Sequence, residues 1–220
     1  VISGNITARE AGDLAALCPA GAIQTDPVGI NLGKCVFCRE CEFACPEKIR
    51  FTNDYRLAVN DPADLIVYPG DQEIRVKKEK VRTEIPKMFR NSLKLRQVSA
   101  GGDNSCEMEL NAAGNVNFDM GRFGIEFVAS PRHADGIVIT GPISGNMSDA
   151  LQICHEAVPT PRIIILAGTD AISGGLYKES PAVNRAFLDK YPVDLYVPGN
   201  PTHPLTFING VLDLINRVSS

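Results

Sequence analysis

Cysteines stand at positions 35, 38, 41 and 45 with Pro46 behind the last, the pattern C-x2-C-x2-C-x3-C-P. Two intervening residues let consecutive thiolates turn back toward one centre, and the proline ends the run; this is the spacing that wraps a cubane iron–sulfur cluster. Zinc is the chemical rival, but zinc knuckles pair two C-x2-C halves set well apart. A fifth cysteine, Cys18, lies upstream in Cys18-Pro19-Ala20-Gly21-Ala22-Ile23, and only Cys106 and Cys154 remain. Seven is an odd number and the cysteines are clustered, which favours metal ligation over a disulfide framework and a reducing compartment.

The elements that must position these thiols are short. Residues 22–25 and 30–32 read as small strands, 13–17 as a helical turn, and 65–68 as a further strand closed by Pro69-Gly70. Next comes a basic stretch, 74–96, with nine Lys or Arg against Glu79 and Glu84, net +7 in a chain whose formal charge is −4. Such a stretch has the charge to meet nucleic acid or an anionic membrane. With Phe89 as its one aromatic and no recognition motif, it reads instead as a solvated linker that packs on a partner protein, with Pro86 near the start of a short helix.

Beyond residue 99 strand and helix alternate. Strands are expected at 124–130, 136–141, 163–168 and 194–198, and helices at 148–157 and 205–217. The run Ile163-Ile164-Ile165-Leu166-Ala167 is apolar throughout, as in a strand buried on both faces. This alternation predicts a doubly wound, mainly parallel α/β domain whose site lies at the carboxyl ends of the strands. At 220 residues and 44% apolar, the chain accommodates two domains with a real core. It has no run of eighteen apolar residues and no charged-then-apolar leader, so a soluble protein is expected. No nucleotide-binding glycine motif and no nucleophile arrangement is present. His155 and His203 read as surface or capping residues.

The first sixty residues, with Cys18-Pro19 and the run 35–46, resemble bacterial-type ferredoxin modules that have kept one of two clusters. In two-cluster modules each Cys-Pro cysteine serves the other cluster. The resemblance therefore implies one [4Fe–4S] cluster on Cys18, Cys35, Cys38 and Cys41, with Cys45 a buried thiol and no ligand.

Further motifs follow in order: Ala100-Gly101-Gly102-Asp103-Asn104-Ser105-Cys106-Glu107, Arg122-Phe123-Gly124, Ser130-Pro131-Arg132-His133, Thr140-Gly141-Pro142 and Val197-Pro198-Gly199-Asn200-Pro201. Together they are similar to the small subunit of membrane-bound, energy-converting [NiFe] hydrogenases and to the homologous cluster-bearing subunit of complex I. That family binds a cubane at the strand ends through four cysteines. The matching positions here are Asp103, Cys106, Asp170 and Asn200, so three thiolates are gone and that cluster is expected to be absent. Arg132 and His133 match residues beside the cluster pocket and the large-subunit interface.

The resemblance implies an architecture of a ferredoxin-like module at 1–60, a basic connector at 61–98 and a flavodoxin-like α/β domain at 99–220. It implies an electron-transfer subunit that docks on a hydrogenase-like or complex-I-like large subunit, with membrane subunits in the same assembly and a place on the cytoplasmic face of a membrane. Independent catalysis and nucleic-acid binding are not expected. The alternative is a scaffold or regulatory subunit whose cluster serves stability or sensing.

Overall fold

A capping box opens the first helix: the Thr7 hydroxyl accepts the Glu10 N–H, and the Glu10 carboxylate accepts the Thr7 N–H at 2.7 Å. Helix α1 (Ala8–Leu17) therefore starts five residues before the turn expected at 13–17. The computed structural model describes residues 1–70 and 73–217; positions 71–72 of the connector stretch and 218–220 at the end of the α/β stretch lie outside the described residues. Strands β1 (Ile23–Thr25), β2 (Val28–Asn31) and β3 (Ile66–Val67) form an antiparallel sheet in that order, and the short helix α2 (Glu40–Ala44) carries Cys41. Ile2, Ile6, Ala11, Leu14, Ile30 and Leu32 close a small core beneath them.

The larger sheet is parallel throughout. Its strands β4 (Leu93–Ser99), β5 (Ile125–Phe127), β6 (Gly136–Thr140), β7 (Ile163–Ala167) and β8 (Leu195–Val197) lie in the order β5-β4-β6-β7-β8. This is the flavodoxin-like order, with the reversal of direction between β4 and β6. Strands β6 and β7 are buried at every residue, as two covered faces require. Helices α3 (Glu84–Phe89), α4 (Ser105–Ala112) and α8 (Pro204–Leu214) contribute Ile85, Leu110 and Phe207 to the core on one face. On the other, α5 (Gly145–Ala157), α6 (Thr169–Ser173) and α7 (Ala186–Lys190) contribute Leu151, Ala171 and Phe187.

Strand β4 lies inside the basic stretch, where charge masks a strand. Leu93 and Leu95 are fully buried while the intervening Lys94 points to solvent, so the period is two and only the inner half is apolar. The rest of that stretch is a correction to the solvated linker. Val76, Ile85 and Phe89 are buried in the main core. Its cations fold back on the chain: Lys77 to Asp64 at 2.7 Å, Lys80 to Asp61, and Arg82 to Asp194 at 2.7 Å. His155 is a second correction. It is 3% exposed, one helical turn after Leu151 on the inward face of α5, and packs against the rings of Phe187 and Tyr191. His203 caps α8, its Nδ1 accepting the Leu205 N–H at 3.2 Å.

The small sheet's module is joined to the large sheet at β8. Val59 and Tyr196 exchange backbone hydrogen bonds of 3.0 and 2.8 Å, covering an otherwise open edge.

Candidate metal centre

Each of the four predicted ligands is placed by a local turn. Cys18 ends α1, and its sulfur accepts the Ala22 N–H at 3.3 Å. Cys35 follows β2; its N–H donates to the Asn31 carbonyl at 3.0 Å and its sulfur accepts the Phe37 N–H at 3.3 Å. Phe37 and Arg39 are both left-handed, with φ of 56° and 66°, which folds the backbone around Cys38. Alternating conformations of this kind turn successive N–H groups toward one concavity, where they favour negative charge. Cys41 lies in α2, and Cys38 is exposed.

Cys18, Cys38 and Cys41 all lie within electrostatic reach of Cys35. Burial, opposed by the Phe37 N–H and reinforced by those three neighbours, pushes the Cys35 thiol up to about 12. Burial likewise raises Cys41. Without metal these thiols stay protonated at neutral pH, so ligation must release protons. Among the described residues, no three His, Cys, Asp or Glu stand close enough to share one metal ion. The thiolates of a cubane each take a different iron. The soft sulfur donors and the N–H groups aimed at them fit a cubane iron–sulfur group. Cys45, expected to be buried, is half-buried: it closes α2 at the module's surface, its N–H donating to the Cys41 carbonyl at 3.1 Å.

The second set of residues meets at the carboxyl ends of β4, β7 and β8, beside the switch point. Cys106 is buried at the start of α4, with Asp103 and Asp170 both in electrostatic reach. Burial pushes its thiol up to about 11, with the Thr202 N–H opposing and Glu107, Asp103 and Asp170 adding. Burial also raises Asp170, helped by Asp103. The Ser105 hydroxyl and N–H, at 2.6 and 2.9 Å, hold Asp103 below its usual range. Asn200 is exposed at the rim. Asp103 and Asp170 thus stand around one buried thiol at the strand ends.

Gly168 fixes the backbone beside that thiol. Its φ of 94° and ψ of 157° belong to a region open to glycine alone, and a Cβ there would lie 2.4 Å from the Cys106 sulfur. Gly168→Ala is expected to cost about 3 kcal/mol of stability, combining backbone strain with overpacking. Denaturant unfolding checks this against Gly12→Ala, where the added methyl meets nothing within 4 Å. Equal midpoints for the two variants would refute the constraint.

Several residues with structural consequence escaped the sequence reading. Thr169 is fully buried, and its hydroxyl donates to the Cys35 carbonyl at 2.8 Å, tying the cysteine module to the strand ends. The Arg185 guanidinium donates to the carbonyls of Pro142, Asp170, Ala171 and Ile172 at 2.8–3.3 Å and clamps α6. Buried Glu107 accepts the Thr140 hydroxyl at 2.6 Å. Each partner is distant in sequence, and no local pattern announces it. Arg132 and His133 lie in the single turn Pro131–His133, with no buried face.

The family described as NADH ubiquinone oxidoreductase, 20 Kd subunit, matches residues 104–214, a stretch that holds Cys106, Asp170 and Asn200 and excludes the cysteine module. The chain is 32% identical over 145 residues to the probable membrane-bound hydrogenase subunit mbhJ of Pyrococcus furiosus, covering 66% of this chain and 87% of that one. To an NADH-quinone oxidoreductase subunit of Heliobacterium modesticaldum it is 40% identical over 116 residues, which is 52% of this chain and 66% of the relative. Among solved structures it is similar to a chain of the membrane-bound sulfane sulfur reductase, an archaeal respiratory membrane complex, with a TM-score of 0.52 and 28% identity over 60% of this chain and 72% of that chain. With strand-end motifs, sheet order and sequence in agreement, this chain belongs to the NADH ubiquinone oxidoreductase 20 Kd subunit family.

Proposed function

We propose that the chain is an iron–sulfur electron-transfer subunit of a hydrogenase-like or complex-I-like oxidoreductase. Cys18, Cys35, Cys38 and Cys41 would hold one [4Fe–4S] cluster, which supplies one-electron transfer when bound. The α/β domain at 99–220 would dock on a large subunit, with the module at 1–60 carrying the cluster and 61–98 joining them. What supports this reading is the cysteine spacing at 35, 38 and 41, with Cys18, Cys38 and Cys41 in electrostatic reach of Cys35, the residue whose carbonyl accepts the Thr169 hydroxyl at the strand ends. Among the described residues no helix is long and apolar enough to cross a membrane. A membrane location would come through other subunits of the same complex, in keeping with relatives named as parts of membrane-bound assemblies.

Asp103, Asp170 and Asn200 at the ligand positions favour a second reading, a scaffold subunit whose cluster serves stability or sensing. One variant separates the two. Cys38 is exposed, so Cys38→Ser removes a ligand with little loss of packing. Iron and acid-labile sulfide on anaerobically purified protein are expected to fall from about four per chain to near none, with the paramagnetic signal of the reduced wild type lost. If the variant still assembles with its large subunit and turnover stops, electron transfer stands; failed assembly with retained activity supports the scaffold. Wild-type chain without iron would overturn the cluster assignment.

A further inference from the structure

One buried hydroxyl links the cysteine loop to the strand ends of the large sheet. Thr169 precedes Asp170 at the carboxyl end of β7 and is wholly inaccessible to solvent. Its hydroxyl lies 2.8 Å from the Cys35 carbonyl and 3.1 Å from that of Gly199. A hydroxyl carries one proton and can satisfy one acceptor at a time. The Gly199 carbonyl already receives the Thr169 N–H at 2.8 Å, so Cys35 is the acceptor that depends on the hydroxyl.

The loop comes equally close two residues earlier. A Cβ on Gly33 would lie 2.8 Å from the Ile172 methyl and 2.9 Å from that of Leu65. Ile172 is three residues along α6 from Thr169, on the same side of the helix. The loop at 33–35 thus touches α6 at two points, one polar and one steric. Its own turn is closed by Gly33 N–H to the Asn31 side chain at 2.9 Å and by Cys35 N–H to the Asn31 carbonyl at 3.0 Å. Cys106, Asp170 and Asn200 are all within one residue of the glycines and threonine at this junction or in direct contact with them.

We propose that Thr169 is a positioning residue that fixes the Cys35 loop, so that the ferredoxin-type cluster is held at the strand ends of the α/β domain instead of on a detached module. Its meaning for electron transfer rests on the cluster assignment above, but the contact itself is testable without iron.

In the full-length, iron-free, reduced chain, alkylation by iodoacetamide is followed at Cys35 relative to exposed Cys38. Thr169→Val keeps the shape and removes the donor, and is expected to raise that ratio about tenfold, the effect of one buried hydrogen bond. Thr169→Ser should restore the wild-type ratio, since it keeps the hydroxyl. Gly33→Ala, with Thr169 intact, should raise the ratio from the steric side. An unchanged ratio in a folded Thr169→Val chain, or no rescue by serine, overturns the proposal. In iron-loaded protein, the reduced cluster's paramagnetic signal should shift in Thr169→Val and overlay wild type in Thr169→Ser. Iron content of the wild type reads the cluster assignment separately: a wild type that binds no iron refutes that assignment and leaves the alkylation ratio to decide Thr169.

Discussion

A chain carrying Asp103→Cys, Asp170→Cys and Asn200→Cys together is expected to bind about eight irons, against about four expected for the wild type under the proposed cluster assignment. The backbone that would present those thiolates is in place. Asp103 precedes the left-handed Asn104 at the entry to α4 and Cys106 lies two residues after it, and Asp170 follows the glycine-only turn at Gly168. Asn200 follows Gly199, whose φ is 139°. What is missing is donor chemistry. Asparagine is a neutral, poor ligand for iron, and aspartate is a hard oxygen donor where the family uses soft sulfur. Burial already holds Cys106 at about 11, so restored thiols would be protonated before loading and exchange protons for iron. Iron and sulfide analysis with spectroscopy of the reduced protein makes the comparison. If iron stays at about four per chain in a variant with wild-type circular dichroism, more than the donors at the strand ends has changed. Each single replacement is expected to leave iron unchanged, because a cubane with two protein thiolates is open on two irons.

His155 is expected to make the chain sensitive to mild acid. Its ring is buried between Phe187 and Tyr191, and its Nδ1 has no hydrogen-bond partner among the described residues. Burial first, then the Arg162 and Lys190 charges, lowers its pKa from 6.5 to about 4, against the opposing pull of Glu156. Because the folded value is depressed, the unfolded chain takes up the proton first as pH falls. No stability is lost above pH 6.5; the loss grows between 6.5 and about 4 and amounts to roughly 3 kcal/mol at the acid end. His155→Phe should abolish that slope, measured as unfolding free energy from pH 7.5 to pH 4. Glu10, held at about 2 mainly by the Lys48 ammonium, loses its contribution only between pH 4.5 and about 2, so the two windows separate. Parallel curves for the variant and wild type would show that His155 titrates normally.

The parts of the fold that were legible in the sequence are those written in local patterns. The all-apolar 163–167 run and the 136–140 run became β7 and β6, the innermost strands, because two covered faces leave no place for polar residues. The cysteine run was readable as a motif because its spacing, three cysteines within seven residues, is local. Strand β4 was not. Its charged outer half follows a two-residue period inside a basic stretch, and composition outweighed period there. His155 was not legible either, since a lone histidine on a helix carries no sign of which face will be covered.

The sequence by itself determined the types and spacing of the thiols, Cys18 and the run at 35–45, and the alternation that makes a parallel α/β domain. It also showed three non-thiol residues at the strand ends. Only the tertiary structure decided how these parts meet. Thr169 is 134 residues from Cys35, Arg82 is 112 from Asp194, and Val59 joins Tyr196 across the sheet edge. The physical reason is that a hydrogen bond needs distance and direction between two groups, and for groups so far apart along the chain both are set by the packing of the elements that carry them.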